Sequence, residues 1–293
     1  MEGTELATEN KSNPFKSFIA GGVGGMCMVL VEHPLDTIKV RLQTMPMYKG
    51  VVDCTAQIFR QEGFRGFYKG VTAPLMALTP IFAVDLAVYA AGKRFFQKDD
   101  HCRLTYTEIF IAGGVAGVCS ALVQVPSDRI KILLQTQSVT RGPQLYNGTM
   151  DTAVKLYKQG GIRSLFKGTC ACILRDWPNG IYYVTYEFLQ ELARKNSKTG
   201  QISATSTIIS GGTAGIVFWA LAVPIDVLKS RLQSAPDGTY KHGIRSVFRE
   251  LMATEGPKSL FRGSVPILLL AFPSVAAFFC GVELTNALLK SKT

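Results

Sequence analysis

The sequence predicts an all-α membrane protein built from three related segments, and three observations lead to that prediction. A Pro-x-Asp-x-x-Lys motif begins at Pro34, Pro126 and Pro224, so successive copies lie 92 and 98 residues apart. A long apolar stretch precedes each copy, and each stretch carries two glycines four residues apart. A motif that recurs at about a third of the chain length indicates an internal repeat. Apolar stretches of about 20 residues indicate membrane-spanning helices.

Taken in order, the chain divides into a polar tail and three repeats. Residues 1–13 are expected to be disordered, and the repeats to cover 14–104, 105–200 and 201–293. Each repeat contains two apolar segments, giving six predicted spans at 17–31, 71–92, 109–127, 170–189, 202–225 and 264–282. The fourth is the weakest, because Arg175, Asp176 and Glu187 interrupt it. Its place in the repeat still favours a span.

Two further patterns support the repeat. The glycine pairs Gly21–Gly25, Gly113–Gly117 and Gly211–Gly215 have the motif's offsets, and such pairs let helices approach closely. Each motif proline follows a long apolar run, which predicts a kinked helix rather than a terminated one. Between the two spans of each repeat lies an amphipathic segment, such as that with Val52, Ala56 and Phe59, suited to a helix on the membrane surface.

Composition narrows the function classes. The net charge of +11 favours a polyanionic partner. Because Lys and Arg lie mostly between the apolar segments and no zinc-finger spacing occurs, that partner is expected to be acidic lipid rather than nucleic acid. Seven scattered cysteines without a CxxC pair indicate free thiols of a reducing compartment. The three histidines have no nucleophile or metal partner at a recognisable spacing, so we expect no enzyme, cofactor or bound metal.

The three motifs, together with aromatic-Lys/Arg-Gly endings at 68–70, 166–168 and 261–263, resemble the mitochondrial carrier family over nearly the whole chain. The resemblance implies six tilted helices around a central cavity, short matrix-side surface helices, both termini in the intermembrane space, and a monomer. It also implies a matrix gate of inter-repeat salt bridges with three glutamines as braces (Asp36, Lys39, Asp128, Lys131, Asp226 and Lys229, with Gln43, Gln135 and Gln233).

The same resemblance implies two other sets of residues. Cardiolipin is expected at six glycines that flank the surface helices (Gly50, Gly70, Gly148, Gly168, Gly243 and Gly263), with the middle site altered because Gly160 replaces a glutamate. A cytoplasmic gate is expected on the even spans but is degraded (Tyr89 and Lys93; Tyr186 and Glu187; Glu283). Two acids against one base allow at most one good ion pair. The sequence therefore predicts a resting state open to the cytoplasm.

The solute is predicted from one level of the cavity. Aligning the even spans on Pro80, Pro178 and Pro273 brings together Ala77, Arg175 and Leu270, the level that contacts substrate in the family. An Arg175–Asp176 pair inside a span is by default a functional site, and it suits a zwitterion, with aromatic faces for quaternary ammonium. The remaining candidate substrate residues are Asp85, Trp177, Asn179, Tyr183 and Trp219.

At the subfamily level the motifs are most similar to carnitine/acylcarnitine carriers, which implies exchange of carnitine-like zwitterions by alternating access. Leu270 stands where that subfamily has an arginine, and Asp85 adds a carboxylate. The more acidic cavity keeps open a carrier of lysine, arginine or ornithine. A lipid-binding or scaffolding membrane protein that transports nothing is the remoter alternative.

Overall fold

A computed structural model describes residues 14–97, 104–137, 145–197 and 203–290, so the predicted tail at 1–13 lies outside the described residues. Ten α-helices occur in these ranges: α1 (Pro14–Thr44), α2 (Val51–Glu62), α3 (Thr72–Phe96), α4 (Tyr106–Thr136), α5 (Thr149–Leu165), α6 (Thr169–Asp176), α7 (Asn179–Asn196), α8 (Ala204–Ser234), α9 (Ile244–Thr254) and α10 (Ser264–Lys290). Short 3₁₀ helices at Phe64–Tyr68 and Pro257–Phe261 precede α3 and α10.

The long helices form a closed ring in the order α1, α3, α4, α6–α7, α8 and α10, with α10 packed against α1. This is the all-α, three-repeat architecture that the sequence predicted, and the prediction of fold class is confirmed. The first long helix of each repeat is α1, α4 or α8, and these three helices also contact one another. They do so at the end of the bundle that carries the Asp and Lys motifs, which we call the motif end.

The motif prolines and Pro178 have different effects on their helices. The helices α1, α4 and α8 continue through Pro34, Pro126 and Pro224, as the sequence predicted. The segment at 170–189, predicted as one span, instead divides into α6 and α7 at Pro178. Pro178 has no N–H to donate to the carbonyl of Leu174, which allows the chain to turn there. The break places the end of α6 inside the bundle.

Four helical segments are long and apolar enough to cross a membrane: Phe64–Phe96, Tyr106–Thr136, Thr205–Ser234 and Pro257–Leu288. Among the described residues, α1 and the α6–α7 pair fall short of that standard. The helix α1 contains the charged Glu32 just beyond the predicted span, α6 contains Arg175, and both helices pack in the same ring as the others. Charged groups inside a span face the bundle interior rather than lipid.

The helices α2, α5 and α9 lie at the motif end, between the two long helices of each repeat. Each buries one narrow face, for example Cys54 and Ile58 of α2. Val52 and Phe59 of the predicted apolar stripe are 83% and 62% exposed. The stripe therefore does not form core; it faces outward, as expected of a helix that contacts the membrane surface.

Both glycines of the α4 pair are needed, because a side chain at either position would collide with α6 or α7. A Cβ on Gly117 would lie 2.5 Å from the carbonyl oxygen of Asp176, and one on Gly113 would lie 2.5 Å from Tyr183. By contrast, a Cβ on Gly21 would meet nothing within 4 Å. The close approach of α4 to the α6–α7 break brings Asn179 and Tyr183 toward the interior.

Candidate functional site

Three ion pairs join neighbouring repeats at the motif end, and we call their six residues the Asp–Lys ring. Lys131 Nζ lies 2.6 Å from Asp36 Oδ2, and Lys39 Nζ lies 2.8 Å from Asp226 Oδ2. Lys229 and Asp128 form the third pair. The side chains of the ring are 2–16% exposed. Each Asp meets the Lys of the following repeat, which is the pairing that the family resemblance implies.

The three glutamines expected to brace the ring do not behave alike. Gln43 donates to Asp226 at 2.9 Å, and Gln135 donates to Thr37 at 2.9 Å and to Asp36 at 3.5 Å. Gln233 instead donates to the carbonyl of Lys167 at 3.2 Å and faces the sulfur of Cys172. The expectation for Gln233 is wrong in this structure, because its amide turns outward to the loop. The Asp128–Lys229 pair is therefore left without a glutamine.

Arg175, at the end of α6, touches the ring from the cavity side. Its Nε and Nη2 donate to the two carboxylate oxygens of Asp176, each at 2.6 Å. Its Nη1 lies 3.6 Å from Asp128 Oδ2 and 3.5 Å from Asp226 Oδ1. One guanidinium thus faces three carboxylates, two of which already belong to ring pairs. The arginine predicted to contact substrate is also a neighbour of the ring.

The two tryptophans occupy different surroundings. Lys39 Nζ of the ring lies 4.3 Å from the centroid of the Trp219 ring, within the range of a cation–π interaction. Trp177 is 44% exposed and packs edge-to-face on Phe110 of α4. The structure therefore brings Trp219 to the ring and leaves Trp177 on the outer side of the α6–α7 break.

Asp85 of α3 is the centre of a second polar cluster, nearer the middle of the bundle. Its carboxylate accepts a hydrogen bond from Tyr183 Oη at 2.6 Å. It accepts weaker ones from Ser120 Oγ at 3.3 Å and Asn179 Nδ2 at 3.4 Å. Within the described ranges, no lysine or arginine lies within 4 Å of Asp85. The donors are all neutral, so the carboxylate keeps an uncompensated charge when it is ionised.

Sequence reasoning did not select Glu32, one helical turn before Asp36 on α1. Glu32 faces Ser274 of α10 and lies within electrostatic range of Asp36, Lys39 and Lys131. Each of those lysines is already bound to a ring aspartate. The signal that could have identified it is the repeat alignment itself, because the equivalent positions in the other repeats are Gln124 and Ala222.

The charges around the ring and Asp85 do not balance in the described part of the chain. Six carboxylates face four basic groups, which leaves two carboxylates without a basic partner (Glu32, Asp36, Asp85, Asp128, Asp176 and Asp226; Lys39, Lys131, Lys229 and Arg175). The described residues contain no group of three or more His, Cys, Asp or Glu arranged to hold a metal ion. Ala77 and Leu270 are half-buried and aliphatic, so neither changes this balance.

At the other end of the bundle the predicted cytoplasmic gate forms one weak ion pair. Lys93 Nζ of α3 lies 3.8 Å from Glu187 Oε1 of α7. Tyr89 stacks on Tyr183 with ring centroids 3.9 Å apart, directly above Asp85. Tyr186 stacks instead on Tyr182 of its own helix, and Glu283 is exposed on α10. Among the described residues Glu283 makes no ion pair within 4 Å, in keeping with the predicted limit of one pair.

An arginine–acid–base triad lies outside the ring in each repeat. Arg41 donates to Glu62 through Nη1 at 2.7 Å and Nη2 at 2.9 Å, and Lys69 Nζ lies 2.9 Å from the same carboxylate. Arg231, Glu255 and Arg262 repeat this arrangement at 2.6 and 2.8 Å. Burial raises the pKa of Glu62, but its hydrogen bonds with Arg41 and Lys69 outweigh burial and hold the pKa below its usual value.

The middle triad is assembled from other residues, because Leu133 and Gly160 stand where the outer repeats have Arg and Glu. Arg129 Nη2 lies 2.7 Å from Asp237 Oδ1, and Lys167 Nζ lies 3.2 Å from it. Partial burial raises the pKa of Asp237, but hydrogen bonds from Ser164 and the charge of Arg129 lower it overall. Asp237 belongs to repeat 3, so this triad joins two repeats.

The glycines expected to bind lipid line two clefts between repeats. One cleft, of about 530 Å³, lies between residues 48–51 and 261–266 and includes Gly50 and Gly263. The other, of about 230 Å³, lies between residues 69–72 and 146–148 and includes Gly70 and Gly148. Near Gly168 the arrangement differs, because Lys167 Nζ donates to the carbonyls of Ala235 and Pro236.

Comparisons with known proteins agree with the threefold repeat. A family model described as "Mitochondrial carrier protein" matches residues 10–100, 103–197 and 200–293. "Mitochondrial magnesium exporter 1" of Drosophila melanogaster is 76% identical over 299 residues, covering 99% of this chain and 100% of the relative. "Mitochondrial carnitine/acylcarnitine carrier protein" of Mus musculus is 44% identical, covering 95% and 96%, and that of Homo sapiens is 43% identical, covering 96% of each chain.

Proposed function

Since the chain belongs to the mitochondrial carrier family and is a transporter of the mitochondrial inner membrane, we propose that its cargo is a hydrated divalent cation, with magnesium the favoured ion. The observation that carries the proposal is the pair of uncompensated cavity carboxylates, Asp85 and Glu32. A cavity with two excess negative charges is complementary to an ion of charge +2. The 76% identity to a relative named as a magnesium exporter supports the same cargo.

The sparse ligand set suits magnesium in particular. Mg²⁺ gives up its water reluctantly and is usually bound through one or two carboxylates while it keeps several waters. A carrier has to release its cargo, so a complete cage of protein ligands would hold the ion too tightly. Asp85, held in place by Tyr183 and facing the cavity without a cationic partner, is the proposed first ligand.

Carnitine or acylcarnitine is the second candidate, favoured by the buried Arg175–Asp176 pair and by the relatives of that name at 43–44% identity. Two positions favour magnesium over it. Leu270 supplies no cation for a carboxylate ligand, and Asp85 adds an anion. The pair is therefore retained here as part of a cation path rather than as a zwitterion site.

The test is transport by the purified protein in liposomes. Vesicles loaded with Mg²⁺ are assayed for efflux with an external magnesium indicator, and parallel vesicles are screened with carnitine, acylcarnitines, lysine, arginine and ornithine. Asp85→Asn is expected to remove most Mg²⁺ efflux. Asp151→Asn, which removes a carboxylate from the surface helix α5, serves as the matched control. Rapid carnitine exchange without Mg²⁺ efflux contradicts the proposal, and absence of all transport favours a lipid-binding or scaffolding role.

The Asp–Lys ring is proposed to be the matrix gate of this carrier. Its six residues join all three repeats at the motif end, where opening would connect the cavity to the matrix. In buried pairs the cost of desolvation offsets much of the Coulomb attraction, so the net stabilisation is small enough for cargo binding to open them. Asp36→Lys and Lys131→Asp are each expected to stop transport and to restore it when combined. A double variant as inactive as either single one contradicts the pairing.

Lipid binding is proposed at the clefts that contain Gly50, Gly70, Gly148 and Gly263. Backbone N–H groups at the start of a helix bind phosphate, and cardiolipin carries two phosphates. At the remaining interface, with Gly168 and Gly243, the internal contacts of Lys167 predict weaker binding. Cardiolipin is expected to raise the melting temperature in detergent, and native mass spectrometry to find two tightly held lipids. No thermal response across a titration counts against all of these clefts.

A further inference from the structure

We propose that Arg175 couples cargo binding to opening of the ring. A divalent cation binds the Asp176 carboxylate and displaces the Arg175 guanidinium from it. The released guanidinium then moves to Asp128 and Asp226, where it competes with Lys229 and Lys39. This inference rests on the proposed function and adds a positioning role that the family resemblance does not assign. Four distances carry it. Arg175 is held at 2.6 Å by both oxygens of Asp176, and its free Nη1 stands 3.5 and 3.6 Å from the two ring carboxylates.

The first step depends on Asp176 having no other cation. Asp128 and Asp226 each pair with a ring lysine, whereas Arg175 alone neutralises Asp176 in the described part of the molecule. Asp176 also lies within electrostatic range of Asp85. A divalent cation bound at Asp85 therefore attracts the Asp176 carboxylate and repels the guanidinium that now occupies it.

The second step is a short movement. The Nη1 atom needs to advance by less than about 1 Å to reach hydrogen-bonding distance from Asp128 and Asp226, since N–H···O bonds span 2.7–3.2 Å. A guanidinium presents a rigid fork of donors to carboxylates, whereas a lysine ammonium is a point charge, so Arg175 is a strong competitor for both. The helix α6 already packs against α4 and α8, which carry the two aspartates.

The third step releases two of the three ring lysines. Lys229 joins repeat 3 to repeat 2, and Lys39 joins repeat 1 to repeat 3. Arg175 would hold Asp128 within its own repeat and Asp226 across the interface of repeats 2 and 3, so that interface exchanges one ion pair for another. The interface of repeats 1 and 3 loses the Lys39–Asp226 pair without replacement. The Asp36–Lys131 pair lies outside the contacts of Arg175 and is expected to open last.

The molecule contains an optical reporter for this exchange. Only two tryptophans occur in the sequence, and Lys39 of the ring lies over Trp219. With Trp177→Phe as the reference protein, Trp219 is the sole indole, and Lys39→Gln gives its emission without the ammonium. Binding is measured independently as Mn²⁺ bound, by electron paramagnetic resonance, while Mg²⁺ is used for the fluorescence titration.

In the reference protein, Mg²⁺ is expected to shift Trp219 emission toward that of Lys39→Gln. Adding Arg175→Gln is expected to tighten Mn²⁺ binding by about fivefold or more, as loss of an internal competitor requires, and to abolish the Trp219 response. Arg175→Lys, which keeps the charge and protects folding, is expected to bind Mn²⁺ with a reduced response. Arg163→Gln on α5 is the matched control for loss of one arginine charge.

The outcomes separate the two proposals. A full Trp219 response in Arg175→Gln or Arg175→Lys, with Mn²⁺ bound, overturns the coupling role and leaves the proposed cargo intact. Absence of Mn²⁺ binding in the reference protein overturns both. Tighter binding with a lost response supports the exchange, because a purely structural arginine would weaken both measurements together.

Discussion

The outer repeats and the middle repeat solve the same structural problem with different residues. In repeats 1 and 3 an arginine, an acid and a base all belong to one repeat, as in Arg41, Glu62 and Lys69. In the middle repeat the arginine has moved four residues along the helix to Arg129, and the acid, Asp237, comes from repeat 3. In every case the arginine also donates to a glutamine backbone carbonyl in the following repeat.

The arginine–carboxylate ion pair is thus present in all three triads, although in the middle one its residues come from different positions of the repeat. This difference also divides the triads mechanically. The outer carboxylates move with their own repeat, whereas Asp237 ties repeat 3 to repeat 2 at the same interface as the unbraced Asp128–Lys229 pair. That interface has lost its glutamine brace and gained an external ion pair.

Arg41→Gln is expected to give the largest loss of stability in this comparison. Arg41 is fully buried, and the Glu62 side chain is 8% exposed, so removing Arg41 leaves a nearly buried carboxylate with Lys69 as its remaining cation. The expected loss is about 3 kcal/mol, the low end of the cost of breaking a buried pair. The matched change Arg129→Gln is expected to be milder, because Asp237 is 44% exposed and can be hydrated. Thermal unfolding of the solubilised proteins measures both. Equal losses would show that the middle triad is as dependent on its ion pair as the outer ones.

Gly160→Glu is expected to rescue Asp237→Ala by returning the acid to its own repeat. A Cβ on Gly160 would lie 3.6 Å from Asp237 Oδ2, so the new carboxylate starts beside the vacated position. Its φ of −148° is open to any residue. Asp237→Ala alone is expected to lose about 1 kcal/mol, given its exposure. If the double variant loses as much stability as the two single variants together, a carboxylate at position 160 does not replace the one at position 237.

The pH dependence of unfolding distinguishes the triads next. The pKa values of Glu62 and Asp237 are lowered in the folded protein, so the unfolded chain binds protons first as the pH falls. Their stabilisation is therefore complete above about pH 4–5 and is lost at lower pH. Glu62→Gln is expected to flatten the acid side of the stability curve, and Asp237→Asn to flatten it less. A curve unchanged by either substitution would assign acid unfolding to other carboxylates.

Ser246→Asp is expected to have the smallest effect, a slight stabilisation of α9. Asp53 and Asp151 accept hydrogen bonds from the backbone N–H of Lys49 and Asn147 at the starts of α2 and α5. In repeat 3 Ser246 takes that place, at 3.2 Å from the His242 nitrogen. A carboxylate in the first turn also interacts favourably with the helix dipole. A lower melting temperature would show that the α9 turn does not accommodate the longer side chain.

The sequence was sufficient for what the repeat determines and insufficient for what one repeat does alone. The offsets of 92 and 98 predicted three related segments with two spans each, and the family resemblance implied the helical ring and the Asp–Lys pairing. The sequence did not reveal that the Gln233 side chain turns away from the ring. Nor did it reveal that Asp237 supplies the acid that the middle repeat lacks at Gly160. Both depend on loop geometry beyond the repeated motif. Glu32 was missed because its charge was assigned to the end of a span rather than to the cavity.

The two uncompensated carboxylates have an electrical consequence. With both carboxylates ionised, an empty cavity carries two negative charges, whereas a cavity filled by the proposed divalent cation is neutral, so a membrane potential acts mainly on the empty site. Each elementary charge moved through 100 mV corresponds to about 2.3 kcal/mol. An inside-negative potential opposes the inward return of the empty site. Net Mg²⁺ export is therefore expected to accelerate when the potential is collapsed, while exchange of one magnesium isotope for another proceeds at an unchanged rate.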